Sequence, residues 1–426
     1  MTAPRRLGIV GTGAIGAPLA RNARKFGIDT CAFDIDRSML EPLADQDVML
    51  ASSNAELASA CDVIVTCVTD PAAVEQAILG PGGIAERVNP GSLVIEMSTS
   101  TPGVTRRMGE ALAARGVVLV DAPVSRGVAA AIDGTLSIMV GGNATHVGRA
   151  MPALRMFGTD IIETGSLGTG HIAKALNMSV LGASFLALAE IMALGKALGL
   201  DVGAFSDAIN DSEAASFVSR HHYVRYVLPQ RFESRFTYGL MKKDVGIAAE
   251  IARETGLFRP FLHRVVDFYD SIPESALGDD NTNLFPRIAA AHDTAAPPKL
   301  IDAHGDLQEA LVLSLATTLL LATQEGVATA QAAGLAASSF LQVLNTSSGG
   351  SRMSERCFDN GHSIACGWTA VRVKEALGLT LRHAIACDVA APLIALTRDT
   401  TLTAGTMRVS DRDAALLAQD IWIQDH

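Results

Sequence analysis

The sequence predicts an α/β domain built on a doubly wound parallel sheet, followed by an all-α remainder. Three observations predict it. From Leu7 to about Gly158, short β-branched runs alternate with helical stretches, as a parallel sheet covered by helices on both faces requires. A glycine-rich turn, Gly11-Thr-Gly13-Ala14-Ile15-Gly16, directly follows the first run. After about Gly165 the strand pattern stops, and Leu176–Leu200 is apolar nearly all round, which places that helix inside a bundle.

The expected strands are Leu7–Val10, Thr30–Phe33, Val63–Val68, Leu93–Ile95, Val117–Val120 and Ser137–Val140, with helices such as Pro18–Phe26, Ala72–Leu79 and Val104–Arg115 between them. Residues 1–164 form the α/β domain, 165–275 a helical domain, 276–299 a linker and 300–426 a second helical segment. The linker reading rests on Pro273, Pro286, Pro297 and Pro298, and on the polar cluster Asp279-Asp280-Asn281. The helical segments on either side of it read alike. Glu190 and Glu325, Gly199 and Gly334, and Asn210 and Asn345 are all 135 apart, and Lys243-Asp244 and Pro260 find Lys374-Glu375 and Pro392 farther on. This predicts internal duplication of a helical unit of about 110 residues.

Of 426 residues, 49% are hydrophobic and 19% charged, which excludes a disordered chain. Lys plus Arg number 34 against 45 Asp plus Glu, a formal charge of −11 without the basic footprint of a nucleic-acid binder. Six cysteines (Cys31, Cys61, Cys67, Cys357, Cys366 and Cys387) form no CxxC pair and fit a reducing compartment. Met1–Arg6 carries no signal-peptide core. The run Ala310–Ala322 falls short of the roughly 20 residues that span a bilayer and reads as a core helix. The expectation is a cytoplasmic protein with a small-molecule partner and no nucleic-acid or membrane partner.

In the glycine-rich turn, Gly11 allows the tight turn, Gly13 lets a pyrophosphate approach the backbone, and Gly16 lets helix and strand pack closely. The diphosphate then meets the free N–H groups of Gly13, Ala14, Ile15 and Gly16 at a helix N-terminus, as in the Rossmann fold. Asp34 closes the second strand, where a carboxylate accepts ribose hydroxyls and repels a 2′-phosphate, favouring NAD over NADP. Arg37, three residues on, can instead reach a 2′-phosphate, so NADP stays open. Asp36 reads as a solvated loop residue.

Oxidising an alcohol needs a base for the hydroxyl proton. Lys174 is the sole Lys or Arg on the apolar stretch Gly170–Gly195, and Asn177 lies at i+3 on the same helical face. A lysine in an apolar cleft can titrate near neutrality and serve both reaction directions; the alternative is a lysine that snorkels to solvent. Ser125 and Gly127 offer a hydroxyl and backbone N–H groups in a turn suited to a carboxylate. Arg126 between them either grips a second anionic group or covers the loop. Ser98, after the fourth expected strand, either faces a ligand or caps the helix after Pro102. The histidines show no metal-ligand spacing, and no metal is expected.

These residues fall in ordered motifs that resemble the β-hydroxyacid dehydrogenases. The motifs are Gly8–Gly16, Asp121-Ala-Pro-Val-Ser125-Arg126-Gly127, the run Gly165-x-x-Gly168-x-Gly170-x-x-x-Lys174-x-x-Asn177, and Lys243-Asp244, over about residues 7–270. The resemblance is to the 3-hydroxyisobutyrate dehydrogenase-like branch and, more distantly, to 6-phosphogluconate dehydrogenase. It implies a substrate loop at Ser125, Arg126 and Gly127, and catalysis by Lys174 and Asn177. It also implies cofactor contacts from Val68, Thr69 and Ser98, and from Lys243 at the nicotinamide end. Many members have glycine where this chain has Arg126, and often another asparagine where it has Met178.

The implied activity interconverts a short β-hydroxyacid and its semialdehyde or ketoacid. The alternatives are a decarboxylating sugar-acid dehydrogenase and a catalytically silent NAD-binding sensor. The offset of 135 carries Lys174 onto Glu309 and Asn177 onto Val312, so the second helical copy is expected to be architectural. A homodimer remains open.

Overall fold

The computed structural model describes residues 4–44, 46–257, 259–290, 304–359, 362–406 and 413–416. The chain divides into two compact units, Met1–Lys174 with Gly334–Ser347, and Ala175–Ala333 with Ser348–His426.

The first unit runs β1 (Arg6–Val10), α1 (Gly16–Lys25), β2 (Asp29–Phe33), β3 (Met49–Leu50), α2 (Asn54–Ala60), β4 (Val63–Thr66), α3 (Pro71–Leu79) and α4 (Ile84–Arg87). It continues through β5 (Leu93–Glu96), α5 (Pro102–Ala113), β6 (Val118–Asp121), β7 (Val124–Ser125), α6 (Gly127–Asp133), β8 (Leu136–Gly141), α7 (Ala144–Leu154) and β9 (Gly158–Gly165). The sheet order is β3-β2-β1-β4-β5-β6-β8-β7, with β9 on β8. The order reverses between β1 and β4, and the crevice beyond those strand ends is where such sheets bind ligands.

The sheet is parallel from β3 to β6, as expected, and then departs from the prediction. β8 is antiparallel to β6 and β7, because the chain folds back on β7 after α6 instead of crossing over. β9 extends the sheet to Gly165, beyond where the sequence pattern placed the last strand. Its mixed burial follows no clean alternation, and β3 and β7 span two residues each, too short for any periodicity to register. Alternate residues of the central strands feed opposite faces. Ile9, Val65 and Ile95 pack with Leu19, while Ile64 and Val94 pack with Leu57 and Ile78.

The helical elements are α8 (Thr169–Ala197), α9 (Val202–Asp211), α10 (Tyr238–Glu254), α11 (Pro260–Asp270), α12 (Leu284–Ala290), α13 (His304–Ala332), α14 (Ala337–Thr346), α15 (Arg352–Arg356), α16 (Ala370–Ala386) and α17 (Pro392–Thr406), with a short hairpin of β10 (Phe358–Asp359) and β11 (His362–Ser363). α14 belongs to the first unit, against β8 and β9. The apolar helices α8 and α13 are long enough to cross a bilayer, but 100% and 94% of their most apolar windows are buried inside the protein.

The expected linker is ordered as far as Ala290. 3₁₀ turns at Glu274–Ala276 and Asn281–Asn283 lead into α12. Phe285 anchors it, its ring 5.1 Å from that of Tyr223 and 6.2 Å from that of Phe185. Residues 291–299 of that expected linker lie outside the described residues.

Two runs of helices match in length and spacing. α8 and α13 each have 29 residues and begin at 169 and 304, 135 apart, and α9 and α14 each have 10 residues and begin at 202 and 337, again 135 apart. α10 and α16 each have 17, beginning 132 apart at 238 and 370. Inside the second unit the hydrogen bonds are reciprocal. Phe217 N donates to Gly350 O and Arg352 N to Ala215 O, both at 2.9 Å, around a bridge between Ser216 and Ser351.

Candidate active site

The nucleotide cradle is built by close approach. Gly11 has φ +87°, and a Cβ there would lie 2.3 Å from Cys67 O; one on Gly16 would lie 1.9 Å from Gly11 O. A Cβ on Gly13 would meet nothing within 4 Å, so the space above the turn is open. α1 begins there with no side chain capping it, leaving its first-turn N–H groups to an anion. The residues present therefore fit a dinucleotide diphosphate. Asp34 accepts from Thr12 N at 2.7 Å and from Asp36 N at 2.9 Å, which holds the carboxylate beside the turn. Asp36 accepts from Ser38 N and Oγ and caps a 3₁₀ turn. Arg37 Nη1 donates to Ala51 O at 3.2 Å.

At the next strand ends, Val68 N donates to Ser98 Oγ at 2.9 Å, joining the loops after β4 and β5. Thr101 caps α5, and Asp70 caps α3 with its neighbour Thr69 bonded to it. Ser98 is thus not the cap of α5; it ties the loops after β4 and β5 together.

Behind these loops lies a buried ionic cluster that sequence reasoning missed. His171 Nε2 is 2.8 Å from Glu96 Oε2, and its Nδ1 is 2.8 Å from Thr105 Oγ1 and 3.5 Å from Asp121 Oδ2. Asp121 accepts from Gly168 N at 2.7 Å and His171 N at 3.0 Å. Burial alone would lower the imidazole pKa, but Glu96 and Asp121 outweigh it and hold it raised; burial raises the Asp121 carboxyl against the pull of His171. A Cβ on Gly170 would lie 2.3 Å from Met139 O and 2.8 Å from Asp121 Oδ2, and one on Gly141 2.4 Å from Asp121 Oδ1. The glycine run before Lys174 is therefore the wrapping of a loop around Asp121. The available signal was Glu96 and Asp121 closing adjacent apolar strands, with a histidine inside the glycine motif.

In the substrate loop, Ser125 is buried and pairs with Ser137 across β7 and β8. Arg126 has φ +81° and ψ 0°, a left-handed conformation natural to glycine. Its guanidinium is engaged. Nη1 lies 2.6 Å from Asp160 Oδ2 and donates to Thr135 O at 3.2 Å, while Nε donates to Thr346 O at 3.1 Å. All three groups that engage it, Asp160, Thr135 and Thr346, lie in the first unit. Gly127, at φ +74°, begins α6.

Lys174, 9% exposed, and Asn177, fully buried, lie one turn apart on α8. In the second unit, Gly349 N donates to Asn177 Oδ1 at 3.0 Å and Asn177 Nδ2 to Ser348 Oγ at 3.3 Å. Sequence reasoning had no means of finding these partners. Met178 is buried in the helical core. Lys243 Nζ lies 3.5 Å from Asp244 Oδ1 on α10.

Comparison with known proteins places these features. Residues 6–165 match the family described as the NAD binding domain of 6-phosphogluconate dehydrogenase, and residues 168–287 the one described as the NAD-binding domain of NADP-dependent 3-hydroxyisobutyrate dehydrogenase. The 2-(hydroxymethyl)glutarate dehydrogenase of Eubacterium barkeri is 30% identical over 276 residues, 65% of this chain and 92% of that protein. A Mycobacterium tuberculosis 3-hydroxyisobutyrate dehydrogenase solved with L-serine superposes with a TM-score of 0.63 at 26% identity, over 67% of this chain and 99% of that one. A Plasmodium falciparum 6-phosphogluconate dehydrogenase shares the fold over 95% of this chain and 93% of its own, with a TM-score of 0.74 at 13% identity. That likeness in fold takes in most of the second helical run.

Proposed function

The chain belongs to the 3-hydroxyisobutyrate dehydrogenase-like family of hydroxyacid dehydrogenases, and from that premise we propose that it oxidises a short acid carrying a hydroxymethyl group beside its carboxylate, with Lys174 as the base. As a member it is an oxidoreductase of CH–OH groups that binds a nicotinamide dinucleotide. The observation that carries the finer reading is an amine and an amide, Lys174 and Asn177, buried one turn apart on an apolar helix.

The bound nicotinamide supplies the hydride acceptor. Lys174 Nζ takes the hydroxyl proton as the C–H electron pair departs and the C=O bond forms; in reduction the ammonium returns that proton. Asn177 donates to the same oxygen. Ser125 Oγ and the Gly127 N–H hold the carboxylate. The substrate class is supported by chemistry shared by three of the compounds named with the relatives, while L-threonate, named with another, is a hydroxyacid without that group. 2-(Hydroxymethyl)glutarate, 3-hydroxyisobutyrate and L-serine all bear a hydroxymethyl group on the carbon next to a carboxylate, and oxidation gives a semialdehyde. With Arg126 engaged elsewhere, Ser125 and Gly127 suffice for one carboxylate. Asp34 favours NAD.

The test is a panel of these acids and 6-phosphogluconate, with NAD and with NADP, followed by reduced-nicotinamide absorbance. Turnover of the hydroxymethyl acids is expected. Turnover of 6-phosphogluconate alone, with release of carbon dioxide, would overturn the reading in favour of the decarboxylating alternative.

We also infer that the two helical runs are copies of one ancestral unit, supported by their equal lengths, their constant offset and their reciprocal hydrogen bonds.

A further inference from the structure

The turn between α14 and α15, Thr346-Ser347-Ser348-Gly349, contacts two of the motifs that carry the proposed chemistry. In the first unit, Thr346 O accepts from Arg126 Nε at 3.1 Å and Ser347 Oγ lies 3.1 Å from Ser137 Oγ, beside Ser125 in the β7–β8 ladder. In the second unit, Ser348 and Gly349 hold both ends of the Asn177 amide. A backbone N–H can only donate, so the Gly349 bond fixes which end of Asn177 is oxygen. One Nδ2 hydrogen goes to Ser348, and Nδ2 also lies 3.8 Å from Met178 Sδ, a weak acceptor that a substrate oxygen can replace. Asn177 is thereby set as a donor, the polarity that stabilises an oxygen gaining negative charge.

The same turn in the first helical run reads Asp211-Ser212-Glu213-Ala214, and its groups do different work. Glu213 pairs with Arg356, and the carbonyls of Asp211 and Ser212 accept from Arg352. The residue 135 beyond Asn177 is Val312, which has no amide to orient. The two turns therefore differ in chemistry where only one of the long helices carries the proposed catalytic amide.

We propose that Ser348 and Gly349 are positioning residues for the reaction, fixing the Asn177 amide as a hydrogen-bond donor to the substrate oxygen. This rests on the proposed function.

The test is a double-mutant cycle in the full chain, with kcat and KM read on the best substrate of the panel above. Ser348→Ala is expected to lower kcat about 3- to 10-fold, the scale of one hydrogen bond, with the KM for the dinucleotide unchanged. Ser348→Thr, which keeps the hydroxyl, should recover most of it. In an Asn177→Ala background, adding Ser348→Ala should cost nothing further, because the group it positions is gone. Equal losses in both backgrounds, or no loss in either, would overturn the positioning role while leaving the hydroxyacid activity standing. A folded, dinucleotide-binding wild type inactive on the whole panel would overturn the activity and this role together.

Discussion

Glu190 accepts the backbone N–H of Leu393 at 3.0 Å, and 135 residues on, Glu325 accepts that of Leu262 at 2.8 Å. Each carboxylate caps a helix that opens with proline, α17 after Pro392 and α11 after Pro260. Each glutamate thus sits in one helical run and caps a helix of the other, within one apolar core that draws on both.

That arrangement predicts a pH-dependent stability. Burial raises Glu190 to about 8 and Glu325 to about 7 from an ordinary 4.5, against the pull of the capped N–H groups and of Arg264 and Arg259 respectively. An acid whose folded pKa is raised stabilises the fold fully below its unfolded pKa, and that contribution is lost as pH rises through the folded value. The unfolding free energy should therefore decrease as pH rises from about 5 to about 8, by at most about 1.4 kcal/mol per pH unit for each titrating group. Glu190→Gln and Glu325→Gln should flatten this slope in denaturant titrations. A wild-type slope unchanged in the double variant would refute the assignment.

Arg126 predicts an unusual ranking of substitutions. Its left-handed backbone costs a side chain about 1 kcal/mol that glycine does not incur. Arg126→Ala keeps that strain and loses the links to Asp160, Thr135 and Thr346, whereas Arg126→Gly loses the links alone. The glycine variant should be the more stable of the two by about 1 kcal/mol in chemical denaturation. The opposite order would mean the loop changes conformation.

If Lys174 moves the proton, Lys174→Ala should lower kcat roughly 10²–10⁴-fold, with dinucleotide binding by calorimetry little changed. Its counterpart at the offset of 135, Glu309, is solvent-exposed and paired with Arg372. Glu309→Ala should leave kcat within about twofold, in keeping with a surface ion pair. Near-normal turnover in a folded Lys174→Ala protein would remove the lysine from the mechanism.

Asp34 should make NAD the better cofactor, since a 2′-phosphate would meet a carboxylate held in place by Thr12 and Asp36. Asp34→Ser should narrow the NAD-to-NADP ratio of kcat/KM. A wild type preferring NADP would show that Arg37 dominates.

The sequence by itself determined whatever depends on near neighbours along the chain. The turn Gly11–Gly16 was legible because a diphosphate cradle needs glycine at fixed spacing, and β1, β2, β4, β5 and β6 because buried parallel strands are continuous apolar runs. The helix carrying Lys174 and Asn177 was legible from its unbroken apolar surface. Glu190 and Glu325 stood out as matched landmarks, but nothing local revealed that each caps a helix of the other run. Tertiary structure alone decided the rest. Glu96, Asp121 and His171 lie 25 and 50 residues apart and meet only because β5 and β6 are adjacent and α8 begins at their ends. Asn177 finds its partners 171 and 172 residues away, and Arg126 finds Thr346 at a separation of 220. Periodicity and turn chemistry act over a few residues, whereas the partner of a buried polar group is chosen by whichever distant segment the packing brings within about 3 Å.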